Sequence, residues 1–136
     1  MTTTALAFVA KLDQPFERAI ETVTAALKAE GFGVLTRIDA HSTFKEKIGV
    51  EFRPYVILGA CNPTLAHRAI SHEAEAGLLL PCNVTVEAAG TGSVVRIADP
   101  DTMLSIGGMD QDPTLRAVAN EARVRLSRVA GALGGK

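Results

Sequence analysis

Two short segments of the sequence place a cysteine next to an asparagine and close to a proline. Cys61 opens the segment CNP, and Cys82 lies in the segment PCN. A thiol can act as a nucleophile, bind a soft metal ion or form a disulfide. An amide beside the thiol can donate and accept hydrogen bonds. The shared residue types predict one site to which both segments contribute.

Cys61 follows a predicted buried strand and precedes a helix that Asn62 caps and Pro63 begins. The first turn of a helix has free N–H groups and the positive end of the helix dipole, so this position favours a thiolate. Such a thiolate would suit a nucleophile or a metal ligand. A structural role is the other interpretation, because free cysteine is often a small buried hydrophobe.

Cys82 lies in the run LLLPCNV, where Leu80, Cys82 and Val84 share one face of a predicted strand. This alternation points the thiol towards the core, whereas Pro81 indicates an edge or bulge that would redirect it. If the two cysteine-bearing strands are parallel neighbours, we expect Cα atoms within about 7 Å, the upper limit for a disulfide. Two thiols at that distance could bind Cu(I) or cycle with a disulfide.

Neither the histidines nor any short motif predicts a catalytic or metal-binding site away from the two cysteines. His67 and His72 are five residues apart on a predicted helix, so they do not share a face as ligands four apart would. The cysteines lack CxxC spacing, and no closed zinc site or other metal centre is predicted. The patterns of HExxH enzymes, phosphate loops and dinucleotide-binding loops are absent. The catalytic residues and any cofactor are left unknown.

The composition is that of an ordinary globular protein. The chain has 136 residues, 47% hydrophobic and 21% charged, with a formal net charge of −1. We therefore expect residues 1–136 to form a single domain. The balanced charge provides no field to attract nucleic acid or an anionic membrane. No leader or apolar run of about 18 residues is present, so we expect a cytoplasmic protein.

Strand and helix patterns alternate along the chain. Predicted strands cover residues 4–10, 33–39, 54–60, 78–87 and 93–98. Predicted helices begin at 16, 43, 63 and 113, and a Thr43–Glu46 capping box opens the second. The third is expected to run to about residue 76. Residues 99–111 are expected to form a loop. This order predicts an α+β or mixed α/β fold with about five strands in one sheet and helices on one face. Right-handed crossovers would make neighbouring strands parallel, but the strand order stays open.

Three segments are similar to those of a known family: FKEKIG, YVILGACNPTLAHRAI and GLLLPCNVTV. Together with LKAEGFGVLTRID and IADP they span nearly the whole chain, and the sequence resembles the bacterial and archaeal domain-of-unknown-function 302 family. The resemblance implies an α+β fold of the TATA-binding-protein-like group, with one curved, chiefly antiparallel sheet. It also implies a homodimer. It implies no particular activity.

The residues typical of that family map onto a single set of positions in this sequence. They are Lys47, Tyr55, Cys61, Asn62, Pro63, Ala66, Pro81, Cys82 and Asn83. The resemblance thus implies a shared site without its chemistry. Our candidate ligand-binding residues are Cys61, Asn62, Pro63, Cys82, Asn83, Lys47 and Tyr55.

Three functions stay open at this stage. The first is a binding module that recognises a small ligand or a soft metal ion in a pocket at Cys61 and Cys82. The second is a thiol-dependent enzyme or redox protein that uses Cys61, with Lys45 or Lys47 holding an anion or lowering the thiol pKa. The third is a structural or assembly module whose outer sheet face pairs with a second subunit.

Overall fold

The computed structural model describes residues 1–134. The strands are Thr2–Thr3 (β1), Ala7–Leu12 (β2), Gly33–Asp39 (β3), Tyr55–Cys61 (β4), Cys82–Ala89 (β5) and Gly92–Ala98 (β6). The α-helices are Phe16–Ala29 (α1), Ala40–Ile48 (α2), Pro63–His72 (α3), Pro100–Ile106 (α4) and Pro113–Gly134 (α5). A 3₁₀ helix covers Ala74–Leu79 between α3 and β5.

The six strands form one antiparallel sheet in the order β1-β2-β6-β5-β4-β3. The predicted α+β class is confirmed, and the sheet has one more strand than expected because the two-residue β1 is added at its edge. Strands β5 and β6 form a hairpin, since they are consecutive and pair directly. The parallel pairing considered for the two cysteine-bearing strands is wrong, because β4 and β5 are antiparallel neighbours.

The connection from β4 to β5 explains this difference. The predicted helix through residue 76 ends instead at His72, where Glu73 takes an extended conformation with φ −144° and ψ 109°. The 3₁₀ helix follows and packs against α3, so the chain returns to the sheet end that it left. Leu78 belongs to this 3₁₀ helix and is 83% exposed, which corrects the predicted start of the strand at residue 78.

Two other helix starts differ from the sequence predictions. Helix α2 begins at Ala40, and Asp39 is its N-cap, so the Thr43–Glu46 capping box is not the start of the helix. Residues 99–111, expected as a loop, contain α4. The side chain of Asp99 caps α4 by accepting a hydrogen bond of 2.9 Å from the N–H of Asp101.

The hydrophobic core lies between one face of the sheet and the helices. Helix α5 buries one apolar stripe against the sheet, formed by Leu115, Val118, Ala122, Leu126 and Val129. The strands contribute alternate residues to the same core, including Val56, Leu58, Ala60, Val84, Val86, Val95 and Ile97. Burying a side chain of this kind stabilises the fold by roughly 1.5 to 3 kcal/mol. This core holds β4 and β5 rigidly side by side.

Candidate functional site

The antiparallel pairing of β4 and β5 brings the two cysteine segments to one edge of the sheet. Ala60 and Cys82 are register partners, so Cys61, the last residue of β4, lies next to the first pair of β5. On its other side, Cys61 pairs with Gly33 of β3. The end of β4 and the start of β5 are therefore adjacent. If β4 and β5 were parallel, these two points would lie at opposite ends of the strand pair.

A cavity of about 110 Å³ lies at this edge, between the sheet and the helices. Both cysteines border it, together with Asn62 and Asn83. Most of the remaining wall is aliphatic and comes from six elements, namely β4, α3, the 3₁₀ helix, β6, α4 and α5, with examples in Leu65, Leu79, Met103, Leu115 and Ala119. The volume corresponds to roughly four water molecules in the liquid. The site is therefore a small apolar recess with a few polar atoms on one side.

The thiol of Cys82 packs against the hydrophobic core at the wall of the cavity. Burial raises the pKa of this thiol from 9.0 to about 11, and the nearby Cys61 adds to the shift. Cys82 is consequently a neutral thiol at pH 7. The predicted inward orientation of Cys82 is confirmed, and its chemistry is that of a small hydrophobe with a weak S–H donor.

Asn62 orients the start of α3 beside Cys61. Its Oδ1 accepts a hydrogen bond of 3.1 Å from the N–H of Leu65, which confirms the predicted N-cap. Its Nδ2 lies 2.9 Å from the point where a Cβ on Gly31 would be, and Gly31 has a φ of +85°. Glycine is needed there for both reasons. Pro63 is exposed at the first turn of α3 and does not line the cavity.

Pro81 closes the outer side of the same edge. A Cβ on Gly59 would lie 2.8 Å from Cγ of Pro81 and closer still to Oγ1 of Thr36, so the proline ring packs directly over this glycine. Strand β5 begins only after Pro81, as expected for a proline at a strand boundary. Asn83 is the register partner of Gly59 and is exposed at the rim of the cavity.

Two of the candidate residues lie elsewhere in the molecule. Tyr55 begins β4, six residues before Cys61, which corresponds to roughly 20 Å along an extended strand. Lys47 is exposed on α2, and Lys45 on the same helix forms an exposed ion pair of 3.2 Å with Glu51. Helix α2 packs on β4, and His41 of α2 bonds to Tyr55 at the end away from Cys61. The structure therefore does not bring Lys45, Lys47 or Tyr55 to the cysteines.

The Tyr55 end of β4 carries an aromatic cluster. The backbone N–H of Tyr55 donates to Nδ1 of His41 over 3.0 Å. The rings of Phe44 and Phe52 meet edge to face with centroids 5.3 Å apart, and Phe52 contacts the Tyr55 ring in turn. This arrangement holds α2 and the segment before β4 against the sheet.

A charged cluster adjoins the aromatic one. Glu87, the register partner of Tyr55, is 8% exposed and forms ion pairs with Arg53 and Arg96. Burial by itself raises the pKa of Glu87, but the hydrogen bonds from Arg53 and Arg96 outweigh it and lower the pKa below its usual 4.5. The guanidinium of Arg53 also lies 4.4 Å from the centre of the Phe52 ring. The charged groups of Glu87, Arg53 and Arg96 thus pair with one another within the fold.

The cavity includes residues that the sequence patterns did not single out. Met103 comes from α4, in the region expected as a loop, and Ala119 comes from the inner face of α5. The sequence does contain a signal for the start of α4. Asp99 and Pro100 repeat the pattern of an N-cap residue followed by proline that begins α3 and α5. Ala119 reaches the cavity only because of how α5 packs on the rest of the fold, and no local sequence pattern indicates that packing.

Within residues 1–134, no three or more His, Cys, Asp and Glu side chains group closely enough to hold a metal ion. His72 forms a hydrogen bond of 2.8 Å with Asp112 and so links α3 to the start of α5, while His67 is exposed. None of the helices in this part of the chain has the length and apolar character needed to cross a membrane.

Comparison with known proteins gives a family and a solved structure. The family model called domain of unknown function DUF302 matches residues 8–133. The crystal structure of an uncharacterized conserved DUF302 protein from Bacillus stearothermophilus is 29% identical in sequence and superposes with a TM-score of 0.82. That match covers 93% of this chain and 97% of the other. None of the curated proteins matches. These likenesses support the family and the fold and carry no activity.

Proposed function

The chain belongs to the DUF302 family, a domain of unknown function, and we propose that it is a binding module for a small, largely apolar ligand. The ligand occupies the cavity bordered by Cys61 and Cys82. The observation that carries this proposal is the recess of about 110 Å³, whose wall is mostly aliphatic, at the edge where β4 and β5 meet. Small-molecule sites have this character: concave, mainly apolar and with a few polar groups.

The protonation state of Cys82 favours an apolar ligand over a soft metal ion. A metal ion binds the thiolate and displaces the thiol proton, so a raised thiol pKa weakens metal binding. Its pKa of about 11 makes that loss unfavourable at pH 7. A neutral thiol instead offers a polarizable contact to hydrocarbon. The soft-ion hypothesis, with Cu(I) as the example, becomes an outcome of the tests below.

The amides limit how polar the ligand can be. Oδ1 of Asn62 already accepts the hydrogen bond from Leu65, whereas Asn83 is exposed at the rim. A ligand inside the recess therefore meets few hydrogen-bond partners, and a buried polar group without a partner is costly. We expect a hydrocarbon portion inside and any polar portion near Asn83.

A cavity-filling variant tests the proposal with 1-butanol as the probe. Ala119 is 6% exposed and lines the cavity, so Ala119→Leu places three extra carbon atoms in it. Ala117 is exposed on the same helix, and Ala117→Leu is the matched control. NMR titration should give saturable amide shifts at residues 60–62 and 82–83 in the wild type and in the control. Ala119→Leu should weaken binding at least tenfold. Absence of saturable binding in the wild type, or equal binding by the folded Ala119→Leu variant, contradicts the proposal.

A copper titration separates the apolar ligand from the metal ion. We expect the wild-type chain to retain no stoichiometric Cu(I) against a competing chelator at pH 7. Tight binding of one Cu(I) that is lost in Cys82→Ala would assign the recess to a soft metal and overturn the proposal. Native mass spectrometry measures the retained mass directly.

We also propose a homodimer formed through the sheet face opposite the helices. Ile38 of β3 is 51% exposed on this face, and its register partner Ile57 is half-buried between the inward-facing Val56 and Leu58. Two copies of such a face can pack through aliphatic side chains about a two-fold axis. The family resemblance implies the same state.

Sedimentation equilibrium tests the dimer. We expect a dimer for the wild type and a monomer for Ile38→Lys, because a buried unpaired lysine would oppose the contact. Val124 is 54% exposed on α5, on the helix side of the sheet, and Val124→Lys should leave the dimer intact. A monomeric wild type, or an Ile38→Lys variant that remains dimeric, contradicts this interface.

A further inference from the structure

The wall of the cavity is distinguished by the side chains that it lacks. Within residues 1–134, none of the lining residues is Asp, Glu, His, Lys or Arg. The ionisable side chains that border the cavity are the thiols of Cys61 and Cys82, and burial raises the pKa of Cys82 to about 11. An ion inside the cavity would therefore meet no carboxylate, ammonium or guanidinium group of opposite charge.

One charged side chain comes near this wall without being part of it. Nη1 of Arg125 lies 3.6 Å from the position of a Cβ on Gly31, and Nδ2 of Asn62 lies 2.9 Å from the same position. Arg125 forms an ion pair of 3.2 Å with Glu121 and donates to the backbone oxygen of Glu30. Its charge is thus balanced by a neighbour on α5, and Arg125 does not line the cavity.

The volume of the cavity indicates where the head group of a ligand would lie. An apolar protein cavity of about 150 Å³ takes up benzene. The present cavity of about 110 Å³ is smaller, so an alkyl chain of about four carbons fills it. The head group of such a molecule would lie at the polar edge of the cavity, which includes the amides of Asn62 and Asn83.

This edge offers hydrogen bonds without charge. A side-chain amide can exchange hydrogen bonds with a hydroxyl or a carbonyl group. An ammonium or carboxylate group loses far more hydration on burial, and it needs a partner of opposite charge to recover that loss. Because the wall supplies no such partner, it discriminates against ions of either sign.

We propose that the ligand carries no charge when it binds. It is a neutral molecule with an alkyl portion of about four carbons and one hydroxyl or carbonyl group, which lies beside Asn83. This inference rests on the proposed function, because it concerns the same cavity. It adds the charge state and the head-group chemistry of the molecule that the cavity takes.

Three probes of equal chain length test the charge state at pH 7. They are 1-butanol, butylammonium and butanoate, and NMR titration of the full chain follows the amides of residues 60–62 and 82–83. We expect each ion to bind at least about tenfold more weakly than 1-butanol, because both lose hydration without gaining a partner. A charged rim would reject only one of the two ions. Binding of either ion as tightly as 1-butanol overturns the inference.

The pH dependence of butanoic acid gives a second test between pH 5 and pH 7. If only the neutral acid binds, the apparent affinity should fall about tenfold for each pH unit above the pKa of the free acid. Titration with 1-butanol at the same pH values is the control, and its affinity should stay constant. An affinity for butanoic acid that does not change with pH would mean that the carboxylate binds.

A charge placed at the edge tests the position of the head group. Asn83 is exposed, so Asn83→Asp adds a carboxylate at the rim without filling the cavity. The affinity for butylammonium relative to 1-butanol should rise at least about threefold in this variant. Asn120 is exposed on α5 and does not line the cavity, so Asn120→Asp is the matched control and should leave the ratio unchanged. An unchanged ratio in the folded Asn83→Asp chain contradicts the placement beside Asn83.

The outcomes separate this inference from the proposed function. If none of 1-butanol, its two charged analogues and butanoic acid binds, the proposed function fails. If 1-butanol binds and either ion binds as tightly at the same residues, the apolar cavity stands and the assignment of a neutral ligand is wrong.

Discussion

The two ends of the β4–β5 strand pair differ in how their side chains are used. At the Tyr55–Glu87 end, the aromatic rings and the carboxylate contact partners within the fold. At the Ala60–Cys82 end, the strands border a recess whose wall is mostly aliphatic. Both ends belong to the same two strands and share the same core. At the Tyr55–Glu87 end the side chains contact one another and stabilise the fold. At the Ala60–Cys82 end the side chains leave a recess unfilled.

This comparison divides the residues that the family resemblance groups together. Tyr55 contacts Phe52, and its backbone bonds to His41, so packing accounts for this position. Cys61 and Cys82 border open space, where packing alone would favour larger side chains. A binding role therefore has its support at the cysteine end, and assignment of Lys47 and Tyr55 to a ligand stays a prediction.

The largest effect is expected at Gly59, next to the Ala60–Cys82 pair at the cavity end. Gly59→Ala places a Cβ against Pro81 and Thr36, and we expect a loss of roughly 2 kcal/mol in the free energy of unfolding from overpacking. The displaced Pro81 should also weaken 1-butanol binding at the cavity. Gly131→Ala is the control, since nothing lies within 4 Å of its added Cβ. Urea denaturation measures both variants, and a Gly59→Ala chain as stable as the control would show that Pro81 is not held there.

A smaller effect is expected at the charged end. Glu87→Gln should lower the free energy of unfolding by roughly 1 kcal/mol at pH 7, because the ion pairs with Arg53 and Arg96 are lost while both guanidinium groups stay charged. The cavity end should be unaffected, so 1-butanol binding should not change.

The pH dependence of the same variant has a definite sign. The pKa of Glu87 is lower in the folded chain than its usual 4.5. Its contribution is therefore fully present above pH 4.5 and is lost as the pH falls through the folded pKa. The difference between wild type and Glu87→Gln should shrink over that range. Glu121→Gln, an exposed partner of Arg125, should cost less at pH 7. A difference that grows on acidification would contradict the assignment.

The last prediction concerns the reactivity of the Cys82 thiol, and we expect little change in the free energy of unfolding. In a Cys61→Ala background, alkylation of folded Cys82 at pH 8 should be at least tenfold slower than in the urea-unfolded chain, because burial, the larger cause of its raised pKa, remains when Cys61 is removed. Alkylation rates at several pH values measure the shift. Equal rates in the folded and unfolded chains would mean that Cys82 is solvated and ionises normally, which would remove the argument against a metal ion.

Local sequence patterns were sufficient for most elements of the fold. The stripe of α5, the caps at Asn62 and Asp112 and the apolar run of β4 each depend on residues close together in the chain. The break at Glu73 was missed because the segment after Pro63 has a helical apolar pattern, with no glycine or further proline before residue 77. That break reverses the chain and decides the antiparallel pairing of β4 with β5.

The sequence by itself determined that two cysteine–asparagine segments flank a helix in an α+β chain, because residue types, caps and periodicity are local properties. Only the tertiary structure decided that these segments meet through an antiparallel register and that α4 and α5 complete an apolar recess over them. It also separated Lys47 and Tyr55 from the cysteines by the length of a strand. The physical reason is that register and helix packing depend on burying apolar surface from distant parts of the chain, and no short segment contains that information.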